Sequence, residues 1–162
     1  RMQSSQPHIW AAGDVAGIHL FTFSAWEQGE AAGWNATSGE TRRLDYGILP
    51  RATFCDPEVG SVGLTEGQAR ERGFPVKTGR WEFARLPRAI IGGETEGFVK
   101  VVADADTGRI LGGHVIGAEA STLVHEIAMA MKCGLTAAEC GRMLHAYPTL
   151  SEGVRWAFQE AV

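Results

Sequence analysis

The run His145-Ala146-Tyr147-Pro148-Thr149-Leu150-Ser151-Glu152 gathers an imidazole, a phenol, two hydroxyls and a carboxylate close together. An imidazole exchanges protons near neutral pH, whereas a phenol has a reference pKa of about 10 and stays protonated unless strongly perturbed. Tyr147 is therefore a poor general base but a usable hydrogen-bond donor or acid. Thr149-Leu150-Ser151-Glu152 also has capping-box spacing, in which the Thr149 hydroxyl and the Glu152 carboxylate satisfy backbone donors at the start of a helix.

Those groups need elements to hold them. Arg51 onward reads as short strands rich in β-branched and aromatic residues, at Ala52 to Cys55, Val59 to Leu64, Val76 to Phe83, Phe98 to Ala103 and Ile110 to Ile116. Thr65-Glu66-Gly67-Gln68 caps a short helix that Gly73 and Pro75 stop, and Asp104 to Gly108 makes a hairpin turn. That turn has a D-x-D-x-G look, but the bidentate acid of a calcium loop would fall on Val115. Ala120, Leu123, Val124, Ile127, Ala128 and Met131 recur at helical spacing before Gly134, and Thr136 with Glu139 caps a further helix. Tyr147-Pro148 forces an extended break before a last helix. Strands first and helices last predict an α+β domain, an antiparallel β-sheet covered by helices.

The segment before Arg51 differs. His8 to Ala12 reads as a buried strand ended by Gly13-Asp14, and a helix is expected from about Ser24 to Ala36 with Ser24-Ala25-Trp26-Glu27 as its capping box. One strand and one helix look like the last piece of an α/β domain, with Thr37 to Arg43 as a linker. The chain, opening on Arg1-Met2-Gln3 and passing at once into an apolar run, reads as if cut from something longer. The expected division is 1–43 as that remnant and 44–162 as the second domain.

Composition narrows the class. Hydrophobic content of 44%, charged content of 21% and a formal charge of −4 suit a soluble globular protein without the basic excess of a nucleic-acid binder. Apolar stretches are too short to span a bilayer. Cys55, Cys133 and Cys140 form no C-x-x-C pair, so reduced, buried thiols in a cytoplasmic protein are expected, with no metal site. His114 in a strand and His125 on a helix suit hydrogen-bonded packing better than metal ligation.

Four segments, in order, resemble one family, the FAD-dependent pyridine nucleotide-disulfide oxidoreductases. They are Ile9-Trp10-Ala11-Ala12-Gly13-Asp14-Val15, Phe21-Thr22, the run from Pro50 to Glu66, and His145 to Glu152. The resemblance implies the end of a FAD-binding domain followed by the dimerisation domain. It implies that Asp14 contacts the ribityl chain of the flavin and that Phe21 and Thr22 bring a helix N-terminus toward the ring. Tyr147 stands where the family has its catalytic histidine, and Glu152 where it has the glutamate that orients that histidine. The implied catalytic pair is Tyr147 and Glu152, serving the active site of a partner subunit in a homodimer, with His145 outside the family's catalytic position.

The implied parent is an enzyme moving electrons between NAD(P)H, FAD and a thiol or disulfide, similar to dihydrolipoamide dehydrogenase over the helices and final motif. Mercuric reductase is the alternative, helped by Leu86-Pro87-Arg88-Ala89, as is soluble transhydrogenase with its Tyr-Pro-Thr pattern. No G-x-G-x-x-G fingerprint and no redox cysteine pair occurs here. The chain alone is thus expected to retain no FAD and to be inactive, a self-association module for a small-molecule or disulfide enzyme that binds neither nucleic acid nor membrane.

Overall fold

In the computed structural model, which describes residues 1–162, the chain divides into two units at Tyr46 and Gly47. The first holds a 3-10 turn, Asp14–Ala16, and one helix, α1 (Thr22–Thr37). His8 to Ala12 is not the buried strand expected. It makes a single bridge, Gln3 to Trp10, through Ser4 N–H to the Ile9 carbonyl and Ala11 N–H to the Met2 carbonyl, both 2.9 Å, and Ile9 is 48% exposed. A strand needs a neighbour along its whole length to pair its backbone groups, and Met2 to Ser4 offers only this much.

The Ser24 capping box also fails to form. Phe21 is the N-cap, without a side-chain cap bond, and Ser24 lies buried one turn in, where its hydroxyl accepts from the Gln28 amide at 3.1 Å. The stretch read as a linker folds back on α1. Asn35 accepts from Arg42 N–H at 2.6 Å and donates to the Arg42 carbonyl at 3.0 Å, while Glu30 pairs with the Arg42 guanidinium.

The second unit is a five-stranded antiparallel sheet in the order β1-β2-β5-β4-β3. Its strands are β1 (Arg51–Thr53), β2 (Val59–Gly63), β3 (Val76–Glu82), β4 (Phe98–Asp104) and β5 (Ile110–Ile116), each within about two residues of its expected ends. Helix α2 (Glu66–Glu71) carries the full capping box from Thr65 and Gln68. Helix α3 (Pro87–Gly92), which starts with Pro at N1, was not anticipated. Six residues with Gly at both the last helical and the C-cap positions are too few for a periodic signal. Helices α4 (Ala120–Lys132), α5 (Ala137–Gly141) and α6 (Glu152–Glu160) complete the unit.

Alternation along β4 sorts the two faces. Val99, Val101 and Ala103 join the main core with Val115, Ile127, Val154 and Phe158, under α4 and α6. Val102 points the other way into a smaller cluster with Ala69 and Leu111, beside α2, and Lys100 on that face pairs with Glu66 of α2. Phe83 and Phe158 are fully buried, and truncating either would cost roughly 3–5 kcal/mol. Helix α4 is started by a distant group: the Glu58 carboxylate accepts from Ser121 N–H at 3.0 Å and its hydroxyl at 2.7 Å. Those two bonds hold the Glu58 carboxyl below the usual carboxylate range.

His114 is a bonded packing residue, as expected. Its ring lies between the Ser61 hydroxyl at 2.8 Å and the Leu64 carbonyl at 3.1 Å. His125 does not follow; it sits on the exposed side of α4. Cys140 is buried, but Cys55 and Cys133 are exposed, against expectation. Cys55 lies in the loop before β2 and Cys133 at the C-cap of α4, where apolar character gives no inward pull because nothing packs above them.

Two outcomes follow from this packing. A Cβ at Gly79 would collide with the Ala157 carbonyl and the Ala161 nitrogen of the α6 end, so Gly79→Ala should lower unfolding free energy by about 1–3 kcal/mol in urea titration. Burial, with Arg51 and Lys100 adding to it, holds the His114 pKa below 6.5 despite the opposing bond to Leu64. The unfolded chain then binds the proton more readily, so this contribution is whole above about pH 6.5 and fades as pH falls toward the lowered folded value. Thermal melts from pH 7.5 to 5 should show a smaller acid loss in His114→Gln than in the wild type; parallel curves would refute the assignment.

Candidate functional site

The residues singled out from sequence fall in both units. In the first, Gly13 has φ +80 and its N–H donates to Gln28 Oε1 at 2.8 Å. Gln28 is fully buried on α1, so it fixes the Gly13-Asp14 turn against that helix. The Asp14 carboxylate itself faces outward. Phe21 stacks with Phe23 at 5.5 Å, and Thr22 begins α1 with an exposed side chain. The first backbone N–H groups of α1 have no side-chain cap, and the positive end of a sixteen-residue helix dipole is there. An outward carboxylate and uncapped helix donors are the groups that polyol hydroxyls and a developing anion require.

In the second unit, Tyr147 lies in the stretch between α5 and α6 and is 73% exposed. Glu152 opens α6 and is 7% exposed. Its Oε2 accepts from Thr149 N–H at 3.0 Å, one half of the expected capping box. The other half is missing: the Thr149 hydroxyl instead donates to the Ala146 carbonyl at 2.8 Å and contacts Ser151 Oγ. Ser151 rather than Thr149 is the N-cap, in αR geometry. Glu152 therefore shapes the backbone next to Pro148 and makes no bond to the phenol. No group anticipated from sequence supports the Tyr147 hydroxyl in this chain.

Beside it lies an open cleft of about 360 Å³ bordered by Arg88, Glu119, Glu126 and the residues Pro148 to Ser151. Two of its walls were not foreseen. Glu126 accepts from or pairs with His145 Nε2 at 2.8 Å across nineteen residues, a distance no local pattern reveals. Arg88 arrives on the unanticipated α3. Cys140, close by, is no candidate nucleophile: burial first, then the Glu126 and Glu139 carboxylates, push its thiol up to about 11. No three His, Cys, Asp or Glu side chains come together to hold a metal ion.

Loss of the Glu152 bond leaves Thr149 N–H without its partner. Glu152→Ala should destabilise the second unit by about 1–2 kcal/mol in denaturant titration, and Glu152→Gln, which keeps an acceptor oxygen, by clearly less.

Known proteins place this architecture. Residues 49–158 match the family described as pyridine nucleotide-disulphide oxidoreductase, dimerisation domain. A dihydrolipoyl dehydrogenase of Mycobacterium leprae is 45% identical over 158 residues, covering 97% of this chain and 34% of that protein. A mercuric reductase of Lysinibacillus sphaericus is 39% identical over 96% of this chain and 28% of its own length. The HOCl-induced flavoprotein disulfide reductase RclA from Escherichia coli superimposes with a TM-score of 0.89 at 27% identity, over 98% of this chain and 37% of that structure. The chain thus spans about a third of the length of the relatives it matches. No helix is long and apolar enough to cross a membrane. With residues 49–158 matched to that family and the fold shared with its solved members, the chain belongs to the pyridine nucleotide-disulphide oxidoreductase family and carries its dimerisation domain.

Proposed function

We propose that this chain is the C-terminal part of an FAD-dependent, NAD(P)H-linked oxidoreductase of the dihydrolipoamide dehydrogenase type, acting in the cytoplasm as a homodimer. The observation that carries the reading is the placement of Tyr147. Its phenol stands out from a dimerisation domain with no partner in its own chain, and the resemblance of the final motif gives it the family's acid-base position. Exposed Met129, Met143 and Leu144 near the same stretch, at 64%, 52% and 86%, are apolar surface that a second copy would cover.

The first unit, in this reading, ends a FAD-binding domain whose dinucleotide-binding part lies outside residues 1–162. Asp14 would hold the ribityl hydroxyls of the flavin, and the N–H groups at the start of α1, by Phe21 and Thr22, would stabilise negative charge that develops on it. FAD, when bound, supplies the two-electron exchange between nicotinamide and the thiol or disulfide substrate. The geometry fits that group, because Gln28 rigidly presents the Asp14 turn while leaving the carboxylate open. By itself the chain would act as a self-association module, without the residues to hold the cofactor.

The departure from the family lies in proton handling. At neutral pH the Tyr147 phenol donates a hydrogen bond to a substrate or a thiolate and does not accept a thiol proton efficiently. General-base assistance is typically worth about 10²–10⁴-fold in rate, so dihydrolipoamide turnover by the flavin-loaded parent should be slow at pH 7. Tyr147→His should raise it at least about tenfold. The measurement is steady-state dihydrolipoamide oxidation from roughly pH 6 to 10, which brackets the imidazole and phenol reference values. Rapid wild-type turnover at neutral pH that Tyr147→Phe leaves intact would overturn the role given to Tyr147.

A further inference from the structure

Between α5 and α6 the stretch from Arg142 to Pro148 turns its side chains outward. Leu144 and Tyr147 are 86% and 73% exposed, and Arg142, Met143, Ala146 and Pro148 are exposed as well. His145 is the exception, with a side chain only 4% exposed. Its Nε2 meets Glu126 Oε1 of α4 at 2.8 Å, and its Nδ1 meets the Met143 carbonyl at 3.2 Å. Both partners are acceptors. The ring is thus engaged at both edges by groups of its own chain.

The imidazole is therefore spent on holding the chain. It ties the stretch to α4 two residues before Tyr147. On the other side, the Thr149 hydroxyl bonds the Ala146 carbonyl and Glu152 bonds Thr149 N–H. An exposed connection of this kind is ordinarily mobile. Pinned on both flanks, it has far fewer conformations to lose when its phenol meets a substrate. We infer that His145, held by Glu126, is the positioning residue for Tyr147: it fixes the direction in which the phenol projects and takes no part in the chemistry itself. The inference rests on the role given above to Tyr147, but the anchoring can be tested without it.

The chain contains two tyrosines, Tyr46 and Tyr147, so protein labelled with 3-fluorotyrosine gives two fluorine resonances, assigned by Tyr147→Phe. In His145→Leu and in Glu126→Leu the Tyr147 line should move toward its unfolded-chain position, and its transverse relaxation rate should drop by about a third, the change from rigid to flexible order. The double variant should go no further than either single one, since both remove the same tie. His145→Gln, whose amide can still donate to Glu126, should recover much of the wild-type line, and the Tyr46 line should stay put throughout. Circular dichroism confirms that each variant is folded; if His145→Leu is not, Glu126→Leu and Glu126→Ala, which leave the ring no acceptor on α4, carry the same two outcomes. An unmoved Tyr147 line in a folded variant overturns the inference whatever turnover does. A moved line with unchanged turnover in the flavin-loaded parent leaves the anchor standing and removes the role of Tyr147 instead.

Discussion

Everything in the second unit depends on α4 and α6 lying close against one face of the sheet. The close approach is possible because the strands offer glycine where helix atoms arrive: a Cβ at Gly113 would run into the Ile127 side chain of α4, and one at Gly79 into the backbone of α6. Removing two side chains from the sheet forfeits some local β preference. The return is a core in which Val99, Val101, Val115, Val124, Ile127, Val154 and Phe158 exclude water entirely, and burying that much apolar surface outweighs the loss.

The position of the stretch that carries Tyr147 follows from this packing. Once α4 and α6 are seated on the same face, α5 and the residues after it must cross beside the α4 helix. Gln159 Nε2 and Arg155 Nε, both on α6, donate to the Gly141 carbonyl and draw the end of α5 against it. The chain then has a short path from Gly141 to Ser151, and the His145 to Glu126 contact falls on that path. The exposed Tyr147 is thus the outer face of a segment whose inner face is fixed by packing.

A histidine in place of Tyr147 would find the same local support. Glu152 bonds a backbone N–H rather than the side chain at position 147, so its local role is indifferent to which ring stands there. A scaffold that shapes its backbone independently of the side chain at position 147 tolerates a different group there. The same sheet and helices can then serve relatives named for dihydrolipoyl and for mercuric substrates.

The sequence by itself determined much of this protein. The five strands, the capping boxes at Thr65 and Thr136, the helix Ala120–Lys132 and the antiparallel class were legible because alternation, helical spacing and capping are local patterns. The run around Tyr147 and Glu152 stood out as a candidate site by its residue types and its resemblance to the family's final motif. Local patterns also misled, at Ser24, where a cap-like sequence sits inside a helix because Gln28 claims the hydroxyl, and at His8 to Ala12, where an apolar run lacked a partner strand. Only the tertiary structure decided that Glu58 starts α4 from sixty-three residues away, that Cys55 and Cys133 are exposed, and that His145 is buried on Glu126. Each of these depends on which surfaces the packed sheet and helices bring together, and the spacing of residues along the chain carries no trace of that.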